Sequence, residues 1–227
     1  MSRPVSYEQT DARWRHIPYS RHNDKTQTIG TSGCGPTCAA MAIATLRDKT
    51  VTPVETCAWA VKHGYRTDSQ GTDFAYFVPQ LAVYGIAAIC TWDKAAATAA
   101  LAAGRMVVGR ARKGLWTSSG HYILGYGTDS GHVLVNDPNS TAANKERAPL
   151  AVWQAQVQPY WIIREAWHMQ IKDLEIKVDD HIAVVAAVTI DSNNFIKLRD
   201  IEKLAPVKVG YDEVNRRPEI TILTGKL

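Results

Sequence analysis

The sequence has few cysteines and no paired metal-ligand motif. Its 227 residues contain four cysteines at irregular spacings, and neither a CxxC pair nor an HExxH sequence. A chain of this length buries enough apolar surface to fold without cross-links, so we expect no disulfide framework. The usual spacings of zinc ligands are missing, so we also expect no metal and no other cofactor.

Long apolar runs and a strong net charge are missing as well. The longest apolar run covers residues 182–188, whereas a membrane helix needs about 20 apolar residues. The polar N-terminus shows no secretory signal, so we expect synthesis in the cytoplasm and no membrane insertion. The net charge of +4 is small for a nucleic-acid binder, which normally carries a dense basic surface.

The order of predicted elements indicates an α+β fold, because helices come first and strands follow. Periodicity predicts helices at residues 34–48, 53–63, 74–84 and 94–103, and strands at residues 106–111, 122–126, 132–136 and 160–164. We predict a first domain over residues 1–165 and a small β-rich domain over residues 172–227. In the second domain we predict strands at residues 174–178, 182–190, 206–209 and 220–223, and a helix at residues 198–204.

Cys34 lies in the sequence TSGCGPTC, where the glycines and Pro36 indicate the first turn of a helix. Free N–H groups and the helix dipole lower the pKa of a thiol there, which is typical of a nucleophile. Thr31 or Ser32 is expected to cap the helix, and the glycines to let a substrate backbone approach. A structural cysteine in a tight turn is the alternative. Cys38, one turn later, is expected in the core.

His121 and Asp137 flank a predicted hairpin whose turn is TDSG, at residues 128–131. A turn centred on Asp129 makes these two residues direct cross-strand partners, so that the carboxylate orients the imidazole. Asn136 is the rival third member. Neighbours on a strand point to opposite faces, so only one of the two can serve. A cysteine at the start of a helix, a histidine on a strand and an acid across the hairpin together indicate a thiol hydrolase.

These motifs resemble the bacteriocin-processing (double-glycine) peptidase family, in its branch without a transporter. The similarity rests on QTDARW at residues 9–14, TIGTSGCGPT at 28–37, GHYI at 120–123 and VNDP at 135–138. It implies a papain-like cysteine peptidase domain in which Cys34, His121 and Asp137 are catalytic. The family often places an oxyanion-hole glutamine six residues before the cysteine. That position is Thr28 here, so the neighbouring Gln27 becomes the candidate.

Residues 172–223 resemble a second module, the copper amine oxidase N-terminal-like (stalk) domain of bacterial surface proteins. The resemblance rests on FIKLRDI at residues 195–201, VKVGYD at 207–212 and ITI at 220–222. We expect no copper site there, because His181 is the only histidine of that stretch. Wall attachment and homo-oligomer contact are the two roles considered for this domain.

Two activities and one binding role fit these features. The first is a phage-type endolysin that hydrolyses peptide or amide bonds of bacterial peptidoglycan after release from the cytoplasm. A mildly basic surface would favour its approach to an anionic cell wall. The second is a leader-peptide protease that cuts after a double glycine, and the third is a wall-binding protein without activity. The complete triad argues against the third.

Overall fold

The computed structural model describes residues 3–68 and 71–164 in full and, beyond them, the backbone of five strands. The chain divides into two compact units, Met1–Ala166 and Trp167–Leu227. No helix in the described part of the chain has the length and apolar character needed to cross a membrane.

The first unit contains seven α-helices among its described residues. They are α1 (Ile29–Ser32), α2 (Cys34–Leu46), α3 (Pro53–Lys62), α4 (Phe77–Val83), α5 (Lys94–Ala102), α6 (Ala143–Glu146) and α7 (Leu150–Gln156), with a 3-10 turn (Phe74–Tyr76) before α4. Local chemistry sets several starts. Thr52 and Glu55 form a reciprocal capping box before α3, and Asp93 caps α5. The four helices predicted for this unit are confirmed, although the first three residues of the one predicted at 74–84 form the 3-10 turn and the other ends differ by one or two residues.

One antiparallel sheet of six strands forms the other half of the first unit. Its strands are β1 (Ala87–Thr91), β2 (Val107–Arg112), β3 (Gly120–Asp129), β4 (His132–Asn136), β5 (Arg147–Pro149) and β6 (Val157–Arg164). Their spatial order is β1-β6-β2-β3-β4-β5. The four strands predicted here are confirmed. β1 and β5, which form the two edges of the sheet, were not predicted.

Helices cover both faces of this sheet. Along β3, Tyr122 and Leu124 pack into a core that includes α2, α3 and α4, whereas Ile123 packs into a second core with Leu101 of α5 and Trp153 of α7. This alternation follows the two-residue period of a strand. Each such buried large side chain stabilises the fold by about 1.5–3 kcal/mol. α2 therefore packs along β3, which brings Cys34 to the start of that strand.

The turn between β3 and β4 lies one residue later than predicted. Asp129 pairs with His132, so Ser130 and Gly131 form the turn. Both have positive φ, 47° and 77°, as a type I′ hairpin turn requires. The predicted turn centre at Asp129 was wrong, because several neighbouring residues favour a turn and only the backbone geometry selects among them.

A bulge further changes the register of this hairpin. The pairing shifts by one residue after Gly125, and Leu124 lies opposite Asn136, the last residue of β4. Continued outward, this register makes Asp137 a diagonal rather than a direct neighbour of His121. The predicted direct pairing was therefore wrong, although diagonal neighbours remain within reach of long side chains.

The second unit is described through its strands alone. They are β7 (Gln170–Val178), β8 (His181–Ile190), β9 (Asn193–Ile196), β10 (Val207–Asp212) and β11 (Arg217–Ile222). β7, β8 and β9 form one antiparallel sheet, and β10 and β11 pair in another. The four strands predicted for this region are confirmed, and β9 was missed. The helix predicted at residues 198–204 lies outside the described residues, and the stalk-like identity stays a prediction.

Candidate active site

A cleft of about 1320 Å³ opens between the first turn of α2 and the start of β3. Its helical wall is lined by residues that precede β1, namely Gln9, Thr31, Ser32, Cys34, Thr67, Gly71, Thr72, Asp73 and Phe74. Its sheet wall consists of Arg110, residues 113–122, Asn139 and Lys145. Cys34 and His121 face each other across this cleft, so two distant parts of the sequence meet at one site.

The start of α2 carries no side-chain cap. Thr28 caps the short α1 and exchanges hydrogen bonds with Thr31, and Gly33 then begins α2 without a capping side chain. The predicted capping of α2 by Thr31 or Ser32 was therefore wrong. The Gly35 N–H hydrogen-bonds to the Cys34 sulfur and the Thr37 N–H to the Gly33 carbonyl. Because Pro36 has no N–H, the Cys34 N–H is the group of this first turn that can serve an anion.

The glycines beside Cys34 serve packing within the protein rather than access for a substrate. A Cβ at Gly33 would lie 2.6 Å from the Ile29 carbonyl oxygen, and one at Gly35 would lie 3.0 Å from Thr72. Protein atoms already occupy the space that a substrate backbone was expected to use. Tight packing of α1 and Thr72 against the start of α2 therefore fixes the position of Cys34.

His121 and Asp137 form a short, buried hydrogen bond. His121 Nε2 lies 2.6 Å from Asp137 Oδ1, which also accepts the Asn139 N–H at 2.9 Å. The exposed fractions of these two side chains are 8% and 0%. Because His121 also hydrogen-bonds to Cys34, its remaining nitrogen, Nδ1, is the one that faces the thiol. The backbone thus differs from the predicted register, but the predicted contact forms.

Asn136 points away from this site. Its Oδ1 accepts from Arg3 Nε at 2.9 Å, and its Nδ2 donates to the Val5 carbonyl at 3.2 Å. Asn136 therefore ties the N-terminal segment to the end of β4. Of the two candidates for the third position, only Asp137 contacts His121.

The site favours a thiolate next to an imidazolium. Burial alone would raise the pKa of the Cys34 thiol, but the His121 hydrogen bond and charge and the Tyr122 and Gly35 N–H groups lower it overall. Burial opposes protonation of His121, yet the hydrogen bonds that its ring N–H groups donate to Asp137 and Cys34 raise its pKa to about 9. Between these two pKa values the ion pair is the stable form.

The other cysteines lack such a partner. Cys38 and Cys57 are fully buried, and burial raises their pKa values well above the usual range. Cys90 is exposed, and its pKa is also raised by partial burial of the thiol. All four cysteines are free thiols. Cys34 is thus the one cysteine whose pKa is lowered, and the predicted core position of Cys38 is confirmed.

The structure brings Cys34, His121 and Asp137 together but engages Gln27 elsewhere. Gln27 Nε2 donates to the Asp68 carbonyl at 2.9 Å, and its Oε1 accepts from Arg66 Nη2 at 2.9 Å. Arg66 is buried and also donates to the carbonyls of Tyr19, Thr67 and Gly71. Gln27 is not among the residues that line the described cleft. Its contacts support the rim of the cleft instead.

Gln9 is the glutamine that reaches the cleft, and the sequence reasoning missed it. Its backbone N–H donates to the Pro138 carbonyl at 2.7 Å, and its Nε2 donates to the Gly30 carbonyl at 2.8 Å. Gln9 lines the cleft together with Cys34, and its Oε1 is buried without a hydrogen-bond partner among the described residues. Gln9 was visible as the first residue of the QTDARW motif. Its separation from Cys34 in sequence hid its role.

The described residues hold no group of three or more His, Cys, Asp or Glu side chains that could bind a metal ion. The comparison with protein families then identifies the chain. Residues 14–166, more than half of its length, match the model of the Peptidase_C39 like family. The chain belongs to the Peptidase_C39 like family. It is therefore a cysteine peptidase by family, and its α+β fold is papain-like, with the cysteine in a helical half and the histidine in a sheet half.

Two solved structures of peptidases resemble this peptidase over 58% of its chain. One is the peptidase domain of Streptococcus ComA, a bi-functional ABC transporter involved in a quorum-sensing pathway, with 19% identity, 90% of its chain covered and a TM-score of 0.42. The other is a double glycine motif protease from an AMS/PCAT transporter in complex with the leader peptide, with 15% identity, 84% covered and a TM-score of 0.42. A comparison with curated proteins gives no significant match.

Proposed function

We propose that this peptidase hydrolyses peptide or amide bonds of bacterial peptidoglycan, with Cys34 as nucleophile, His121 as acid and base, and Asp137 as the residue that orients His121. The observation that carries the chemistry is the open cleft in which the lowered pKa of Cys34 and the raised pKa of His121 coincide. Such a pair supplies a nucleophile and a proton donor at neutral pH.

Each step of the proposed reaction uses a group of the site. The Cys34 thiolate attacks the scissile carbonyl carbon, and the oxyanion that forms accepts hydrogen bonds from the Cys34 N–H and the Gln9 amide. The His121 imidazolium donates its proton to the leaving nitrogen, so the C–N bond breaks and a thioester remains. Neutral His121 then removes a proton from water, and the hydroxide releases the carboxylic acid and restores the ion pair.

The charge and width of the cleft support a cell-wall substrate. The lining includes three basic side chains, Arg110, Lys113 and Lys145, against one acidic side chain, Asp73. A wide, positively charged cleft suits the branched, acidic peptides of peptidoglycan. We accordingly propose that the protein acts at the bacterial cell wall, as an endolysin does, and that nucleic acid is not its partner.

The second unit has a separate proposed role. We propose that residues 172–227 attach the peptidase to the wall or join two copies of the chain. Attachment would raise the local concentration of the catalytic unit on the wall. Light scattering and wall pull-down of the full chain separate the two roles, because a dimer doubles the mass and attachment gives co-sedimentation of a monomer.

The test of the substrate uses two candidate substrates side by side. The full chain and Cys34→Ala are incubated with purified peptidoglycan and with a synthetic leader peptide that contains a double glycine, and the products are analysed by mass spectrometry. We expect muropeptide release by the wild type alone, and the masses identify the bond that is cut. Cleavage only after the double glycine would assign the leader-peptide activity, and no cleavage of either would favour the role of a binding protein.

A further inference from the structure

Arg110 is a cleft residue that the proposed chemistry does not use. It lies on β2 directly opposite Tyr122 of β3, and both side chains line the cleft with Cys34. Burial raises the pKa of the Tyr122 hydroxyl, the charge of Cys34 raises it further, and the charge of Arg110 lowers it, so Arg110 acts on the same tyrosine as Cys34. The guanidinium therefore belongs to the sheet wall of the cleft that Cys34 also lines.

Among the described residues the guanidinium of Arg110 contacts an aromatic ring and backbone but has no carboxylate partner. Its Cζ lies 5.4 Å from the centre of the Phe74 ring, and a Cβ at Gly120 would lie 2.8 Å from its Nη2. Gly120 directly precedes His121, so the guanidinium rests between an aromatic face and the backbone beside the imidazole. Arg110 forms no ion pair with the residues that the structure describes.

An oriented arginine without a partner suits a planar anion. A guanidinium presents its N–H groups in a fixed fork that matches the two oxygens of a carboxylate, whereas a lysine is a point charge. Lys113 and Lys145 add positive charge to the same wall, and Asp73 on the opposite wall accepts the Ala75 N–H with its Oδ1. Arg110 thus lines the cleft with no carboxylate partner among the described residues, and it lies beside Gly120, which directly precedes His121.

We propose that Arg110 is a specificity residue that pairs with a free carboxylate of the substrate, close to the scissile bond. The inference deepens the proposed function, because the stem peptides of peptidoglycan present such a carboxylate where isoglutamate is free and lose it where the residue is the amide, isoglutamine. The substrate class is then the acidic stem peptide, and the amidated peptide is a poor substrate.

The first arm of the test does not depend on the identity of the substrate. The rate of Cys34 alkylation is measured with iodoacetate and with iodoacetamide, which differ in a carboxylate and in each of which the sulfur displaces iodide. We expect the ratio of the iodoacetate rate to the iodoacetamide rate to fall about fivefold in Arg110→Gln, because the guanidinium no longer attracts the carboxylate of iodoacetate. Arg110→Lys should retain part of the wild-type ratio, and Arg112→Gln should retain all of it. Arg112 is the matched control, since it lies on the same strand, is exposed and bonds to Gln158.

The second arm compares two muropeptides that differ only in isoglutamate or isoglutamine. We expect kcat/KM of the wild type to favour the acid about tenfold or more. Arg110→Gln should remove this preference by slowing the acid alone, and thermal unfolding checks that the variant is folded. If the alkylation ratio falls and neither muropeptide is cleaved, the carboxylate site stands and the peptidoglycan function fails. An alkylation ratio unchanged in Arg110→Gln, or equal turnover of both muropeptides, overturns the proposal.

Discussion

The helical wall of the cleft holds Cys34 through backbone packing, whereas the sheet wall holds its functional groups through side-chain contacts. Gly33 and Gly35 leave no space for a side chain around Cys34. His121 instead depends on one hydrogen bond to Asp137, and Arg110 rests on Phe74 and Gly120. A conservative change on the helical wall should therefore disturb the position of Cys34, and one on the sheet wall should disturb the charge of the site.

The largest expected effect is the loss of the nucleophile from the helical wall. Cys34→Ala should lower kcat by about 10⁴-fold or more, because no other described group in the cleft can form the thioester. Hydrolysis of muropeptides, followed by chromatography, measures the loss. Cys90→Ser is the matched control, since Cys90 is exposed and outside the cleft. Activity that persists in Cys34→Ala would exclude the proposed mechanism.

On the sheet wall, removal of the Asp137 charge should lower kcat somewhat less than the loss of Cys34 does. Asp137→Asn should lower kcat by about 10³–10⁴-fold, because the amide neither fixes the imidazole nor stabilises the imidazolium. Asn136→Ala is the control, since Asn136 contacts Arg3 and Val5 rather than His121. Steady-state kinetics of both variants decide the assignment, and equal losses in the two would mean that the hairpin, not the carboxylate, is what matters.

Variants of Gln9 and Gln27 should distinguish a residue that acts in catalysis from one that stabilises the rim of the cleft. Gln9→Ala should lower kcat by about 10²–10³-fold, as expected for a lost oxyanion donor. Gln27→Ala should leave kcat nearly unchanged but destabilise the fold by about 1–2 kcal/mol, because buried Arg66 loses one acceptor. Kinetics and thermal unfolding are measured on both variants. The reverse pattern would restore Gln27 as the oxyanion residue.

The smallest effect is the pH dependence, which arises from Cys34 on the helical wall together with His121 on the sheet wall. Formation of the thioester needs Cys34 deprotonated and His121 protonated, so kcat/KM should rise above the lowered pKa of Cys34 and fall about tenfold per pH unit above pH 9. The pH profile of kcat/KM, which reports the free enzyme, measures both limbs. An alkaline limb near pH 6.5, the ordinary pKa of histidine, would show that Asp137 and Cys34 do not stabilise the imidazolium.

Sequence patterns located the elements and most of the site, and the misses have physical causes. The start of α2 and the β3–β4 hairpin follow from local turn chemistry, so Cys34 and His121 could be placed. The register could not, because the shift after Gly125 and the choice of Ser130–Gly131 as the turn are set by the folded backbone.

The glutamine was missed for a different reason. Its position depends on contacts with Gly30 and Pro138, which are far apart in the chain. Spacing to Cys34 favoured Gln27, but Arg66 and the Asp68 carbonyl engage that side chain. Non-local contacts of this kind leave no periodic signal in a single sequence.

Alkylation with iodoacetamide probes the Cys34–His121 ion pair across the cleft without any substrate. The rate is measured from pH 5 to pH 10, with the labelled cysteine identified by mass spectrometry, in the wild type and in His121→Ala. We predict that Cys34 reacts first in the wild type, at a rate already high near neutral pH and unchanged through pH 9, where hydrolysis falls. In His121→Ala the reaction should need alkaline pH. Preferential labelling of the exposed Cys90, or the same Cys34 profile with and without His121, would contradict the account.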